Sequence, residues 1–330
     1  MRPFGEIMLL LSALQQFDID PATFFVLLAT AGLTLFFVLA ALTTPLLGAV
    51  TESLYVLKHK SFYDKCALQI TQAAFGMGVF IFFTLGAGVI YYIAMLPSEM
   101  PAAHGSVPGH SAGMFVQLQE RFGPLLFFVP PLKGLLLLCV YWSTWSVLKK
   151  RRVLHLLLGW SAALSMLGAL CFGLYFFSPP AMPLVYLGLF WLGLVCTGLA
   201  AGAGLSQLWL FMRRFKADYG RDYYAFAMRY SARVALAFTL AACALLLLLR
   251  HSIPAQLTRP PDIGGIAVTA IAVGLPLCCC LLWLGIAKSK NPIRHKPSAF
   301  FACVFLFMAL CAQLLMLLHN LPLDLKPVGA

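Results

Sequence analysis

VYLGLFWLGLVCTGLAAGAGLSQLWLF, residues 185–211, runs for 27 residues without a charged side chain. About 20 apolar residues in a row carry an α-helix across the ~30 Å hydrocarbon core of a bilayer, so the stretch reads as a transmembrane helix. Lipid offers backbone N–H and C=O groups no partner, which leaves helices and closed barrels as the structures that span it. A barrel strand would show about ten residues of alternating polarity, and no such alternation occurs here. The small residues GLAAGAG at 198–204 predict a surface that a neighbouring helix approaches closely.

The same reading, carried outward from 183–211, finds further spans at about 22–49, 67–95, 125–147, 155–177, 232–249, 264–287 and 298–319. The expected fold is all-α: a polytopic membrane bundle of about eight transmembrane helices, one transmembrane domain over 1–330. Composition agrees. Hydrophobic residues make up 62% of the 330 and charged residues 10%, against about 25% charged in soluble chains, and mean hydropathy is +0.90. Residues 1–20 read as a short interfacial segment of the chain rather than a signal peptide. Glu6 interrupts its apolar stretch and no small-residue cleavage site follows.

Basic residues sort by face. The stretches after spans 1, 3, 5 and 7, with their flanking helix ends, hold 17 of the 23 Lys and Arg, among them Lys60, Lys150, Arg152, Arg221 and Lys290. By the positive-inside rule this face is expected to be cytoplasmic, with both termini on the outer (periplasmic) side. The net charge of +12 follows from that bias, and each surface Lys or Arg is drawn to anionic lipid by about 1 kcal/mol. The partner so implied is the lipid bilayer. No nucleic acid is expected.

Metal-ligating residues are poorly placed for chemistry. Three consecutive cysteines, Cys278, Cys279 and Cys280, point about 100° apart around a helix and cannot all face one ion, so they are expected to pack. None of the seven histidines falls in the middle of a span, where a b-type haem would need them. His104 and His110 in HGSVPGH read as residues of an outer loop. Lys133 is the clear ionisable residue inside a span. An intramembrane charge is a functional candidate by default, whereas a Lys about two turns from the outer face also snorkels to the headgroups; both readings stand.

The stretch TESLYVLKHKSFYDKC at 51–66 reads as a charged cytoplasmic loop between the first two spans. Its ESLYVLKHKSFYDK, with the apolar span before it and AFGMGVFIFFTLGAG after it, resembles the first two helices of subunit I of the cytochrome bd quinol oxidases. The likeness lies in the order Glu-Ser-hydrophobic-Tyr-Val, in the spacing of Lys60 and Tyr63, and in the Gly-rich second helix. Similar features return at KKRRVLH, which sets His155 after the third span, and at GRDYYAFAMRYSARVALAF, 220–238. The resemblance covers about 22–250 and is specific at 51–90. It implies a membrane subunit of a respiratory, quinone-linked electron-transfer complex. Glu52, Lys60, Tyr63 and His155, with Lys133, are the candidate residues, and haem b or quinone would come through a partner subunit or cytochrome.

This sequence also departs from the family. The family's haem-ligating His in the first helix falls on or beside Thr34, the fifth span has no His, and the third span has no carboxylate. The GRQPW signature and long quinol-binding loop are missing as well. The expectation is therefore a divergent relative with no catalytic residue or metal site and few or no haems of its own, and not itself an oxygen reductase. The alternatives are a small-solute or ion transporter, or a structural anchor subunit.

Overall fold

The computed structural model describes residues 20–95, 129–176, 184–212, 220–252 and 263–320. Residues 1–19 of the expected interfacial segment, the HGSVPGH stretch and the first residues of the third expected span lie outside the described residues. Eight α-helices follow in order: α1 (Pro21–Lys58), α2 (Ser61–Met95), α3 (Val129–Ser143), α4 (Arg152–Phe176), α5 (Leu184–Met212), α6 (Arg221–Ser252), α7 (Ile263–Lys288) and α8 (Lys296–Asn320). Short 3-10 turns at Val147–Lys150 and Pro292–His295 precede α4 and α8. Seven of the eight are long and apolar enough to cross a membrane, and α3 is a shorter apolar helix of 15 residues. Among the described residues the protein is all-α, a multi-pass helical membrane protein.

Local chemistry sets the helix ends. Asp20 accepts a hydrogen bond from the Thr23 backbone N–H at 3.2 Å, an N-cap for α1, and Pro21 opens that helix, where its missing N–H costs nothing. The 51–66 loop expected from the sequence is not a loop: α1 continues through Glu52 to Lys58, and the break is confined to His59 and Lys60. Hydropathy locates where apolar side chains stop, whereas Glu, Leu and Lys are good helix formers that extend the hydrogen-bond ladder beyond that point. The ladder ends at His59, whose φ of 54° is left-handed and whose N–H bonds the Tyr55 carbonyl at 2.8 Å. Glu52 therefore rides on a continuous helix rather than on a flexible connection.

The chain divides into two compact units. Ala41–Phe177 contains the end of α1 with α2, α3 and α4. Here α3 lies along α4 and α2 packs on α3, around a core that includes Ala67, Ala74, Leu138, Tyr141, Trp145 and Met166. Two glycines permit the close approach of α3 and α4. A Cβ on Gly134 would lie 2.8 Å from Met166 Sδ, and one on Gly159 2.7 Å from the Tyr141 ring.

The other unit, Met1–Ala40 with Ser178–Ala330, contains the start of α1 and the bundle α5–α8. Consecutive helices pack pairwise, and α8 returns to α5. The small-residue stretch 198–204 is buried throughout, and a Cβ on Gly204 would meet Cys303 Sγ at 2.6 Å. Gln207 Nε2 donates across the bundle to the Met228 carbonyl at 3.2 Å, an interhelical bond of the sort worth about 0.6 kcal/mol in lipid. Hydroxyls that face no water turn back on their own helix: Ser206 and Thr239 each donate to the carbonyl four residues earlier. Arg229 closes the end of α7, donating to the Ser289 carbonyl at 3.1 Å and the Lys290 carbonyl at 3.0 Å.

Candidate functional site

Within Ala41–Phe177 the four helices meet at a buried polar centre. Glu52 on α1 and His155 on α4 have no exposed surface, and Tyr141 on α3 is 1% exposed. The Tyr141 hydroxyl donates to Glu52 Oε2 at 2.6 Å, and His155 Nδ1 lies 2.6 Å from Glu52 Oε1. The other ring nitrogen of His155, Nε2, lies 3.0 Å from the Tyr141 backbone carbonyl. Arg152, one turn before His155, places Nη1 2.8 Å from Asp64 Oδ1 on α2 and 3.6 Å from Glu52 Oε1. Its guanidinium stacks over the Tyr55 ring at 5.0 Å, and its Nη2 is buried with no hydrogen-bond partner among the described residues.

Helix geometry explains how these side chains converge. Glu52 and Tyr55 are three residues apart on α1, Arg152 and His155 three apart on α4, so each pair shares a helix face. At the end of α3 the N–H of Trp145 bonds Trp142 rather than Tyr141, which frees the Tyr141 carbonyl for the imidazole. Tyr141 and His155 rings lie 4.6 Å apart, and Trp145 meets the imidazole edge-on at 4.7 Å. Trp160 Nε1 donates to Ser53 Oγ at 3.2 Å, pinning α4 to α1 beside the centre.

Donor and acceptor arithmetic fixes the proton content of the centre. A carbonyl oxygen only accepts, so His155 Nε2 carries hydrogen. The Tyr141 hydroxyl hydrogen occupies Oε2. The 2.6 Å contact between Oε1 and Nδ1 then needs one further proton, on the carboxyl or on the imidazole. With that proton in place, the Glu52–His155 pair is neutral overall, and Arg152 balances Asp64. A buried group of charges is tolerable when paired in this way, while removing one partner of such a pair typically costs about 3–5 kcal/mol.

The structure brings together two of the sequence-predicted residues, Glu52 and His155. Lys60 is exposed at the α1–α2 break, and Tyr63 lies under Lys58 Nζ at 5.5 Å from its ring centroid, outside the centre. Lys133 is exposed in the second turn of α3. Thr34 is part-buried on the same helix as Glu52. Tyr141, Arg152 and Asp64 were not among the residues singled out from the sequence. Cys278 is exposed while Cys279 and Cys280 are buried, so the three thiols diverge, and Cys279 donates to the Ala302 carbonyl at 3.3 Å. Elsewhere, a cavity of 540 Å³ is lined by Phe211, Arg221, Tyr224, Asn291 and Arg294 with Gly220 and Ile293.

The positions at which the family resemblance would place haem ligands, and His155, do not fit a haem b. Thr34 has no imidazole, and α5 has no histidine to offer. His155 is buried, yet both its ring nitrogens are already engaged, by Glu52 and by the Tyr141 carbonyl, so neither is free for iron. Comparison with family models, curated proteins and solved structures found no match to this chain.

Proposed function

We propose that the protein is a cytochrome bd subunit I-like membrane subunit of a respiratory, quinone-linked electron-transfer complex, and not itself an oxygen reductase. In this reading it sits in a bacterial inner membrane with its Lys- and Arg-rich face in the cytoplasm, and any haem b or quinone is held with or by a partner. One observation carries the reading. The two separate stretches that resemble the family, at 51–66 and at KKRRVLH, each supply one member of the 2.6 Å Glu52–His155 pair, although 103 residues separate them. Segments retained for insertion alone have no reason to meet as a buried, charge-compensated pair. The loss of imidazole at Thr34 and α5 accounts for assigning oxygen reduction elsewhere.

The test is affinity purification of the full chain from its native membrane, with mass spectrometry of co-purifying proteins and an ultraviolet-visible spectrum. The expected result is co-purification of a cytochrome or quinone-reactive subunit, with haem absorbance tracking that subunit's abundance. A stoichiometric Soret band from the chain alone would overturn the assignment. Solute uptake by vesicles holding the chain alone would favour the transporter, for which the buried carboxylate is the supporting feature.

A further inference from the structure

We propose that Glu52 and His155 form a proton-binding site that takes one proton from, and returns it to, the face of the protein that carries Arg152 and Asp64. The inference goes beyond the quinone-linked reading and does not depend on it. In the loaded state one proton lies between Glu52 Oε1 and His155 Nδ1, in a contact of 2.6 Å. Release breaks the bond to that proton, which passes to water, and leaves a Glu52 carboxylate beside a neutral imidazole. No electron moves.

The charged and titratable groups seen in contact within the centre fit this cycle. From α1 come Glu52 and Tyr55, from α2 Asp64, from α3 Tyr141, and from α4 Arg152 and His155. Tyr141 donates to Oε2 in either state and so stabilises the carboxylate when its proton is gone. Arg152 cannot itself release a proton, and acts instead as the counter-charge. It already spans from the part-exposed Asp64, 21% accessible, to the inaccessible Glu52. Its Nη2 has donors to spare. When the pair loses its proton and gains a negative charge, the guanidinium closes its 3.6 Å separation from Oε1 to a direct hydrogen bond. Uptake reverses the movement and returns Arg152 fully to Asp64. Arg152 and Asp64 thus mark the side by which the proton enters, since they are charged members of the centre with accessible surface, at 16% and 21%.

The site is tested by pH-difference infrared spectroscopy of the purified full chain in detergent, recorded from acidic to alkaline pH. The wild type is expected to show a glutamate carboxyl or carboxylate signal that is lost in Glu52→Gln. In Tyr141→Phe, which keeps both members of the pair, the signal is expected to persist with its midpoint moved to higher pH, because the carboxylate has lost a donor. Arg152→Gln is expected to move it the same way. Superimposable difference spectra of wild type and a folded Glu52→Gln would overturn the proposal. Should Glu52→Gln fail to fold, Tyr141→Phe decides, and an unmoved midpoint there overturns it equally. Since no quinone or partner is present, the result leaves the quinone-linked assignment to its own experiment.

Discussion

At the level of single residues, the centre predicts unequal consequences for neighbouring substitutions. His155→Ala removes the partner of a buried carboxylate and is expected to destabilise the protein by about 3–5 kcal/mol. Tyr141→Phe removes one hydrogen bond to that carboxylate, and should cost about 1.5–3 kcal/mol. Lys60→Ala and Lys133→Leu change exposed side chains and should stay within about 0.5 kcal/mol of wild type. Unfolding midpoints in detergent rank all four. Part of this centre was legible in the sequence and part was not, for a physical reason. Glu52 and His155 stood out because each belongs to a stretch with a recognisable order of residues. Arg152 was counted with Lys149, Lys150 and Arg151 as face-setting charge, and nothing in a run of four basic residues marks Arg152 as the one that reaches Asp64 and Glu52. Tyr141 is hidden in an apolar run, where its ring counts as hydrophobic and its hydroxyl as nothing. The partner of each lies 88 or more residues away, a separation to which periodicity is blind.

At the level of helices, the separation of α3 and α4 decides whether Tyr141 reaches Glu52. A methyl group on Gly159 would come within 2.7 Å of the Tyr141 ring and 3.1 Å of its hydroxyl. Gly159→Ala should therefore cost about 1–3 kcal/mol through overpacking and should also shift the Glu52 infrared signal as Tyr141→Phe does. Gly168 on the same helix is exposed with nothing within 4 Å of an added Cβ. There alanine should be neutral, or stabilise by up to about 1 kcal/mol from helix propensity. Thermal unfolding of the two variants, read beside their infrared spectra, separates a packing defect from a general intolerance of α4 to alanine. Span positions were readable from apolar length, as α5 and α7 illustrate. The ends were not: α1 continues through Glu52 to Lys58, beyond the apolar run that closes at Val50, because backbone hydrogen bonding tolerates Glu and Lys side chains that hydropathy rejects.

At the level of the whole molecule, alternate connections are expected on one side of the membrane, set by the distribution of Lys and Arg. Cysteines introduced as Lys60→Cys or Lys290→Cys, in a chain whose native cysteines are replaced, should resist a membrane-impermeant thiol reagent in intact cells and react after lysis. Labelling of either in intact cells would reverse the orientation. The pairing of Glu52 with His155 also bears on how the protein is made. The carboxylate leaves the ribosome 103 residues ahead of the imidazole, and at about 5–20 residues per second it waits roughly 5–20 s for its partner. Through that interval α1 carries an acid whose compensating groups on α3 and α4 do not yet exist. Glu52 must therefore remain at the aqueous boundary, or enter uncharged, until α4 emerges. The assembly of this half of the protein is thus a timed event in biogenesis, completed by the arrival of its fourth helix.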